Sequence, residues 1–218
     1  LLPVAGSQLA IEYPPVGRES IAQFWLVDPT IPANNYTRNT FYIYFGNPTS
    51  QKAYDDNAQE NAQNITPAIE VTTVKQTTIG SNVTYETQKN FYDALASRAV
   101  TNKFTTAPSA SLVCGGQSVN TILKAPSNFL CRAQITILNC DLSTCLPQLV
   151  RVRLLYGNVN HKIALAPTSG GSLPPQVELY TSTGKAGQSV KTLQVFRIKD
   201  MLPPWLDFAI FSVNDIVK

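Results

Sequence analysis

An alternation of apolar and charged residues in residues 148–157 places the tightest limit on the fold of this chain. Val150, Val152 and Leu154 would lie on one face of an extended segment, with Arg151 and Arg153 on the other. An apolar period of two residues indicates a half-buried β-strand, because successive side chains of a strand point to opposite faces. The segment therefore predicts a sheet that covers a core with one of its faces.

Eight segments rich in β-branched and aromatic residues run through the chain, separated by clusters of Pro, Gly and Asn. Short strands with such breaks between them are typical of sandwiches and barrels. We predict an all-β fold, an antiparallel β-sandwich of jelly-roll, immunoglobulin-like or pilin-like type. The predicted strands are residues 20–28, 40–46, 68–76, 129–139, 148–157, 176–182, 189–198 and 207–214.

Two further segments are predicted as short helical insertions on this β scaffold. Residues 88–99 place Phe91, Leu95 and Ala99 at helical spacing. Residues 50–63 contain helix-tolerant residues without an apolar stripe, so they form either a surface helix or a long loop.

The domain prediction has three parts: an N-terminal donor or edge strand over residues 1–13, a Pro/Gly linker over residues 14–19, and one sandwich domain over residues 20–218. A chain of 218 residues that is 44% hydrophobic can bury a sizeable core in one domain.

The N-terminal segment alternates like a strand, and two interpretations of it stay open. Leu9, Ile11 and Tyr13 would point inward in one register, with Val4 on the opposite face. In the first interpretation, the segment pairs within its own chain as an edge strand. In the second, it is donated to a neighbouring copy, where main-chain hydrogen bonds give affinity and alternate side chains give specificity.

Pro14, Pro15 and Gly17 separate this strand from the body of the chain. In the donated arrangement they would form a semi-rigid hinge, because proline fixes its backbone and interrupts strand pairing. In the in-chain arrangement the same residues are an ordinary turn.

Composition and charge narrow the class of protein. Charged residues make up 14% of the chain, below the roughly 25% usual for soluble domains. A surface of neutral polar groups is typical of extracellular, shell or acid-exposed proteins. The net charge of +3 is not gathered in a Lys/Arg run, so neither a nucleic acid nor an anionic membrane is a predicted partner.

The position of the single methionine, Met201, predicts that the chain is processed from a longer precursor, most simply by removal of a secretory signal peptide. No run of about 18 apolar residues occurs, so no membrane span is predicted. The predicted location is extracellular, at the cell surface.

Four cysteines lie close together in the sequence, which predicts two disulfides in an exported chain. Cys140 and Cys145 flank a short polar turn that a local bridge could close, leaving Cys114 with Cys131. Three connectivities are possible for four cysteines, and a four-cysteine zinc site and free thiols remain as alternatives.

Catalytic constellations are poorly represented, and we predict that the chain is not an enzyme and holds no metal. His161 is the only histidine, so a pair with Cys114 is the one conceivable nucleophile and base; a solvated loop histidine is the simpler interpretation. Asp55, Asp56 and Glu60 lack the spacing of a calcium loop, which favours a solvated polar face.

Three Asn-x-Thr sequons begin at Asn35, Asn64 and Asn82, and they predict N-linked glycans on exposed loops, with no other cofactor. Aromatic runs at residues 24–25 and 41–45 are typical either of a core face or of a sugar-stacking surface.

Residues 31–49, IPANNYTRNTFYIYFGNPT, resemble a signature of β-rich modules in archaeal and bacterial surface proteins. In organisation the chain is similar to subunits of archaeal extracellular filaments, in particular the threads of Sulfolobus-like archaea. That resemblance implies donor-strand complementation, glycosylation and a homopolymer of head-to-tail copies with an adhesion or biofilm role. The alternatives are a viral jelly-roll shell protein and a secreted carbohydrate-binding domain.

Overall fold

The computed structural model describes residues 9–28, 30–48, 65–122, 126–186 and 189–198. They contain twelve strands, one 3-10 turn at Pro32–Asn34 and one short helix, α1 (Ala96–Asn102). The strands are β1 (Ile11–Val16), β2 (Ile21–Trp25), β3 (Thr40–Phe45), β4 (Ala68–Ile79), β5 (Asn82–Asp93), β6 (Thr105–Thr106), β7 (Leu112–Val119), β8 (Ser127–Thr136), β9 (Cys145–Tyr156), β10 (His161–Pro167), β11 (Val177–Ala186) and β12 (Ser189–Ile198).

The strands form two five-stranded sheets and a hairpin. The first sheet has the order β1-β10-β3-β8-β7, the second has the order β2-β9-β4-β5-β6, and β11 pairs with β12. Among these neighbours only β5 and β6 are parallel. Successive strands alternate between the sheets at several points, as in a sandwich, so the predicted all-β fold is confirmed.

The core lies between the inner faces of the two sheets, and the alternation that predicted the strands selects its members. In β9, Val150, Val152 and Leu154 are fully buried in this core, while Arg151 and Arg153 take the opposite face. Other fully buried members come from neighbouring strands: Phe41, Ile43 and Phe45 of β3, Ile69 and Val71 of β4, and Ile163 and Leu165 of β10.

The predicted helix over residues 88–99 is wrong in its first half. Residues 88–93 are the end of β5, and α1 begins only at Ala96. The helix is held by Asp93, which accepts a hydrogen bond from the Leu95 amide at 2.9 Å and pairs with the Arg98 guanidinium at 2.7 Å. A buried carboxylate with these partners stabilises a chain reversal at this point, which the sequence spacing alone did not indicate.

The predicted linker over residues 14–19 is also wrong in its first half. Strand β1 continues through Pro14 and Pro15 to Val16, with an irregularity in its pairing between Tyr13 and Val16. Proline is compatible with an edge strand, because its missing N–H costs nothing where no neighbour would accept it. The predicted strand over residues 207–214 and the helix-like segment over residues 50–63 lie outside the described residues.

Candidate functional site

The N-terminal strand occupies a slot at the edge of the first sheet. β1 pairs antiparallel with β10, with Ile11 opposite Leu165, Glu12 opposite Ala164 and Tyr13 opposite Ile163. The residue that precedes β1, Ala10, is also held on its other side. Its amide donates to the Asn120 carbonyl at 3.0 Å, and its carbonyl accepts from the Ile122 amide at 3.1 Å.

The side chains of this strand enter two apolar clusters. Ile11 and Tyr13 are partly buried against the main core, where the Tyr13 ring meets the Phe24 ring edge-on at 5.8 Å between centroids. Ala10 is fully buried in a second cluster, on the outer face of the first sheet, with Tyr44, Phe129, Ala164 and Ala166. The slot is therefore lined by the core on one face and by a smaller apolar cluster on the other.

The predicted donor-strand residues differ in whether their side chains face the core. Ile11 and Tyr13 face the core as expected. Leu9 was expected to point inward, and it is 41% exposed instead. Strand β1 begins at Ile11, and Leu9 lies in a bend before it, so the inward alternation does not extend to Leu9. Val4 lies outside the described residues.

The turn between β1 and β2 consists of the four residues after Val16. The Ser20 amide donates to the Gly17 carbonyl at 3.1 Å, and the Glu19 amide donates to the Leu154 carbonyl at 2.7 Å. Glu19 has φ of 62°, in the left-handed region that a residue with a Cβ adopts at a cost. The chain therefore bends at Gly17–Ser20, and of the predicted hinge residues only Gly17 belongs to the bend.

His161 lies at the far end of the same slot, opposite Val16. It is buried, with only 2% of its surface exposed, so the predicted solvated loop position is wrong. Its Nδ1 accepts a hydrogen bond from the Asn47 amide at 3.3 Å. A Cβ on Gly157, which has φ of 105°, would approach His161 Nε2 to 2.8 Å, so glycine makes room for the ring. Burial lowers the pKa of His161 below its ordinary value of 6.5.

The second sheet ends in a long open edge. β5 pairs with β4 over its whole length, but its other side is covered by β6 only at Tyr92 and Asp93. Within the described part of the chain, no strand pairs with that side between Asn82 and Phe91. The tip of this β4–β5 ribbon exposes apolar side chains, with Val83 at 50% and Tyr85 at 66% exposure.

The two remaining edges of the five-stranded sheets, at β7 and β2, are protected. In β7, a bulge at Gly115 and Gly116 interrupts the pairing with β8 beside the Cys114–Cys131 disulfide. At β2, the Gln176 side chain accepts from the Trp25 amide at 2.7 Å and donates to the Trp25 carbonyl at 2.9 Å. Gln176 thus pairs with the edge of β2 as one residue of a strand would.

Both predicted disulfides are present. Cys114 is bonded to Cys131 across neighbouring strands, and Cys140 is bonded to Cys145 across the turn between β8 and β9. This confirms the local pairing and excludes the zinc and free-thiol alternatives for these four residues. Disulfides are characteristic of chains that mature in an oxidising compartment.

One polar network lies on the outer face of the second sheet, and the sequence analysis missed it. Glu70 is buried and pairs with Lys89 at 2.7 Å and with Arg153. Burial raises the pKa of Glu70, but hydrogen bonds and charges from Lys89 and Arg153 outweigh it and lower the pKa overall. A shallow cavity of about 320 Å³ lies against Glu70, Phe91 and Arg153. The only signal in the sequence was the pair of arginines opposite the apolar face of β9.

The contacts of the described residues give little support to a metal site or to a sugar-binding site. In the described ranges, no group of three or more His, Cys, Asp and Glu side chains stands close enough to hold a metal ion. Phe24, Phe41 and Phe45 of the aromatic runs are buried in the core rather than exposed for stacking. Asp55, Asp56 and Glu60 lie outside the described residues.

The sequons differ in accessibility. Asn82 is exposed at the turn of the β4–β5 ribbon. Asn35 is half-buried, and its Oδ1 accepts a hydrogen bond from the Asp28 amide at 2.8 Å. Asn64 lies outside the described residues. Asn82 therefore offers the best-placed side chain for a glycan.

No helix in the described part of the chain is long and apolar enough to cross a membrane. No protein family, no curated protein and no solved structure matches this chain.

Proposed function

We propose that this chain is a structural subunit of an extracellular cell-surface filament, which polymerises head-to-tail by donating its N-terminal strand to the neighbouring copy. Its role would be of the adhesion or biofilm type. The observation that carries the proposal is the slot of β1: an edge strand near the chain terminus fills it with side chains that reach the core.

An empty slot would be unfavourable for any copy of the chain. Without β1, the hydrogen-bonding edge of β10 and the apolar surface around Phe24 would face water. Burying a large apolar side chain fully contributes about 1.5–3 kcal/mol, and partial burial of Ile11 and Tyr13 contributes a share of that. The same strand from another copy would restore the same contacts, so in-chain and exchanged pairing compete on nearly equal terms.

The turn at Gly17–Ser20 favours exchange. Extending this turn would release Glu19 from its left-handed conformation, which costs on the order of 1 kcal/mol for a residue with a Cβ. Strand exchange between identical copies is a low-cost route to assembly when a short hinge can open. Gly17–Ser20 is therefore the proposed hinge, in place of Pro14 and Pro15.

Donation in one direction makes an open polymer. Each copy would give its strand to the next and receive one from the previous copy, so the contact is heterologous and does not close on itself. The low charge and the disulfides are compatible with a location outside the cell. A glycan on Asn82 would lie on the ribbon tip, away from the β1 slot.

A cysteine cross-link between β1 and β10 tests the proposal. Glu12 and Ala164 lie opposite each other in the ladder, so Glu12→Cys with Ala164→Cys places two thiols in bonding range. In assembled protein we expect the new disulfide to join different copies and to give a ladder of covalent oligomers on denaturing, non-reducing gels. The single variants Glu12→Cys and Ala164→Cys are the controls and should give no ladder.

A double variant that links only within its own chain, in native assemblies and at every concentration, would overturn the proposal. Deleting residues 1–13 is less informative, because losing Ile11 and Tyr13 from the core destabilises the fold under both interpretations. The cross-link separates them directly, because it records which chain fills the slot.

A further inference from the structure

A second segment of the chain holds the N-terminal strand at Ala10. Strand β1 pairs with β10, but the main-chain groups of Ala10 bond elsewhere: the amide donates to the Asn120 carbonyl at 3.0 Å, and the carbonyl accepts from the Ile122 amide at 3.1 Å. These two bonds form a parallel bridge between Ala10 and Thr121. We call residues 119–122, which follow β7, the clamp.

The clamp lies over the apolar cluster on the outer face of the first sheet. Strands β7 and β1 are the two edge strands of this sheet, so the clamp connects its opposite edges. Val119 packs against the cluster, and Thr121 is buried. Ala10, which belongs to the same cluster, is fully buried. The clamp therefore covers the place where the side chain of Ala10 enters the sheet surface.

A disulfide fixes the clamp to the body of the sheet. The ladder between β7 and β8 is interrupted at the bulge of Gly115 and Gly116, and only three residue pairs follow it before the clamp. The Cys114–Cys131 disulfide joins the two strands immediately before the bulge. It therefore anchors the clamp at the point where main-chain pairing is interrupted.

We propose that the clamp is the second wall of the strand-binding site: it holds Ala10 of the N-terminal strand of a second copy, and the Cys114–Cys131 disulfide keeps it in place. This inference rests on the proposed function, because a second copy supplies the strand only if strands are exchanged. A donated strand would pair with β10 and also bond to the clamp at Ala10. It would leave only when both sets of bonds break.

The clamp also selects the register of the donated strand. A slip of one residue would turn Ile11 and Tyr13 away from the core. A slip of two residues keeps the faces, but it would bring Gln8 or Glu12 into the apolar cluster in place of Ala10. Burying an amide or a carboxylate there is unfavourable. Ala10 is therefore a specificity-determining residue of the strand.

Paired cysteines report which copy's clamp holds Ala10. Ala10 and Thr121 are bridge partners, and neighbouring strands lie about 4.8 Å apart, so Ala10→Cys with Thr121→Cys suits a disulfide. In assembled protein we expect this pair to give the same ladder of covalent oligomers as Glu12→Cys with Ala164→Cys. The control, Ala10→Cys with Ser118→Cys, places the second thiol about 10 Å further along the chain and should give no ladder.

The two cysteine pairs distinguish failure of the clamp from failure of strand donation. Links within one chain in both pairs would overturn strand donation, and with it the second copy as the source of the strand. If Glu12→Cys with Ala164→Cys joins different copies but Ala10→Cys with Thr121→Cys does not, the clamp alone is overturned.

Removing each disulfide in turn tests the anchor. We expect the Ala10 amide to exchange its hydrogen about tenfold faster or more, relative to amides of the central strand β9, in Cys114→Ala/Cys131→Ala than in Cys140→Ala/Cys145→Ala. Both variants lose one disulfide, but only the first loses the bond beside the clamp. Equal ratios would overturn the anchoring role of the Cys114–Cys131 bond, whichever copy supplies the strand.

Discussion

The strands β1 and β5 both lie at the edge of a sheet, yet they are built differently. β1 has six residues, two of them prolines, and packs Ile11 and Tyr13 against the core. β5 has twelve residues without a proline, and its outer half is exposed on both faces. The edge strand β1 is therefore stabilised by contacts with the core, whereas the outer half of β5 has no such contacts.

Because of this difference, the two strands should contribute to different properties of the sandwich, one to folding stability and the other to self-association. A strand that buries apolar side chains contributes to the free energy of unfolding, whereas a strand exposed on both faces contributes little beyond its ladder. The same exposure leaves its main-chain groups free for another strand. Changes in β1 should therefore act mainly on stability, and changes in β5 mainly on self-association.

The largest expected difference comes from removing one tyrosine ring from each strand. Tyr13→Ala deletes the edge-on contact with Phe24 and part of the core, and should lower the free energy of unfolding by about 2–3 kcal/mol. Tyr85→Ala removes an exposed ring and should change it by less than about 0.5 kcal/mol. Urea denaturation of monomeric protein measures both. Similar losses in the two variants would mean that the Tyr85 ring is buried in the folded chain.

A smaller effect is expected from pH at the β1 slot. Burial lowers the pKa of His161, so the histidine is neutral above its ordinary value of 6.5 in both the folded and the unfolded chain. Above that pH its contribution to the free energy of unfolding is fully present. As pH falls below 6.5, the unfolded chain takes up a proton that the folded chain resists. Stability is lost by up to about 1.4 kcal/mol per pH unit until the lowered folded pKa is reached.

The control for this effect is His161→Asn, which keeps an acceptor for the Asn47 amide but does not titrate. Its unfolding free energy should be flatter over the interval just below pH 6.5. Near β5 the corresponding group is Glu70, whose lowered pKa gives stability that is present above its ordinary 4.5 and lost as pH falls further. An unchanged slope in His161→Asn would show that another group titrates in the upper interval.

The smallest effect is expected from making β1 resemble β5. Replacing Pro14 and Pro15 by threonine restores two amide donors to β1 and should increase self-association measured by sedimentation. Stability should fall by less than about 1 kcal/mol, because proline restricts the unfolded chain. A double variant that associates no more than the wild type would indicate that residues 120–122, rather than the prolines, protect the edge.

Apolar alternation predicted much of this fold, because strands that cover a core must alternate. β3, β4, β8 and β9 lie where the pattern indicated, and the cysteine spacing gave both disulfides. β5 carries no such pattern, since its outer half has no buried face, and its inner end was interpreted as helix. β7 was missed because Gly115 and Gly116 are typical of turns, whereas here they form a bulge within a strand.

The candidate site was predictable only in part. Alternation indicated the inward direction of Ile11 and Tyr13, but β1 begins only at Ile11, and Leu9 lies in a bend and is 41% exposed. No local pattern in the sequence indicates that bend. The hinge was predicted at the prolines because they break most strands; at a sheet edge they do not. His161 is buried by Gly157, which is four residues away in sequence, and by the end of β1, which is remote in sequence.

The two disulfides also limit how far this chain can be stretched. They span sequence separations of 17 and 5 residues, and each closes its loop covalently. A chain pulled from its two ends would unravel without releasing those loops, so on the order of 70 Å of its contour would stay folded back until the sulfurs are reduced. Each bridge thus works as a mechanical stop, and reduction of both would lengthen the fully extended chain by that amount.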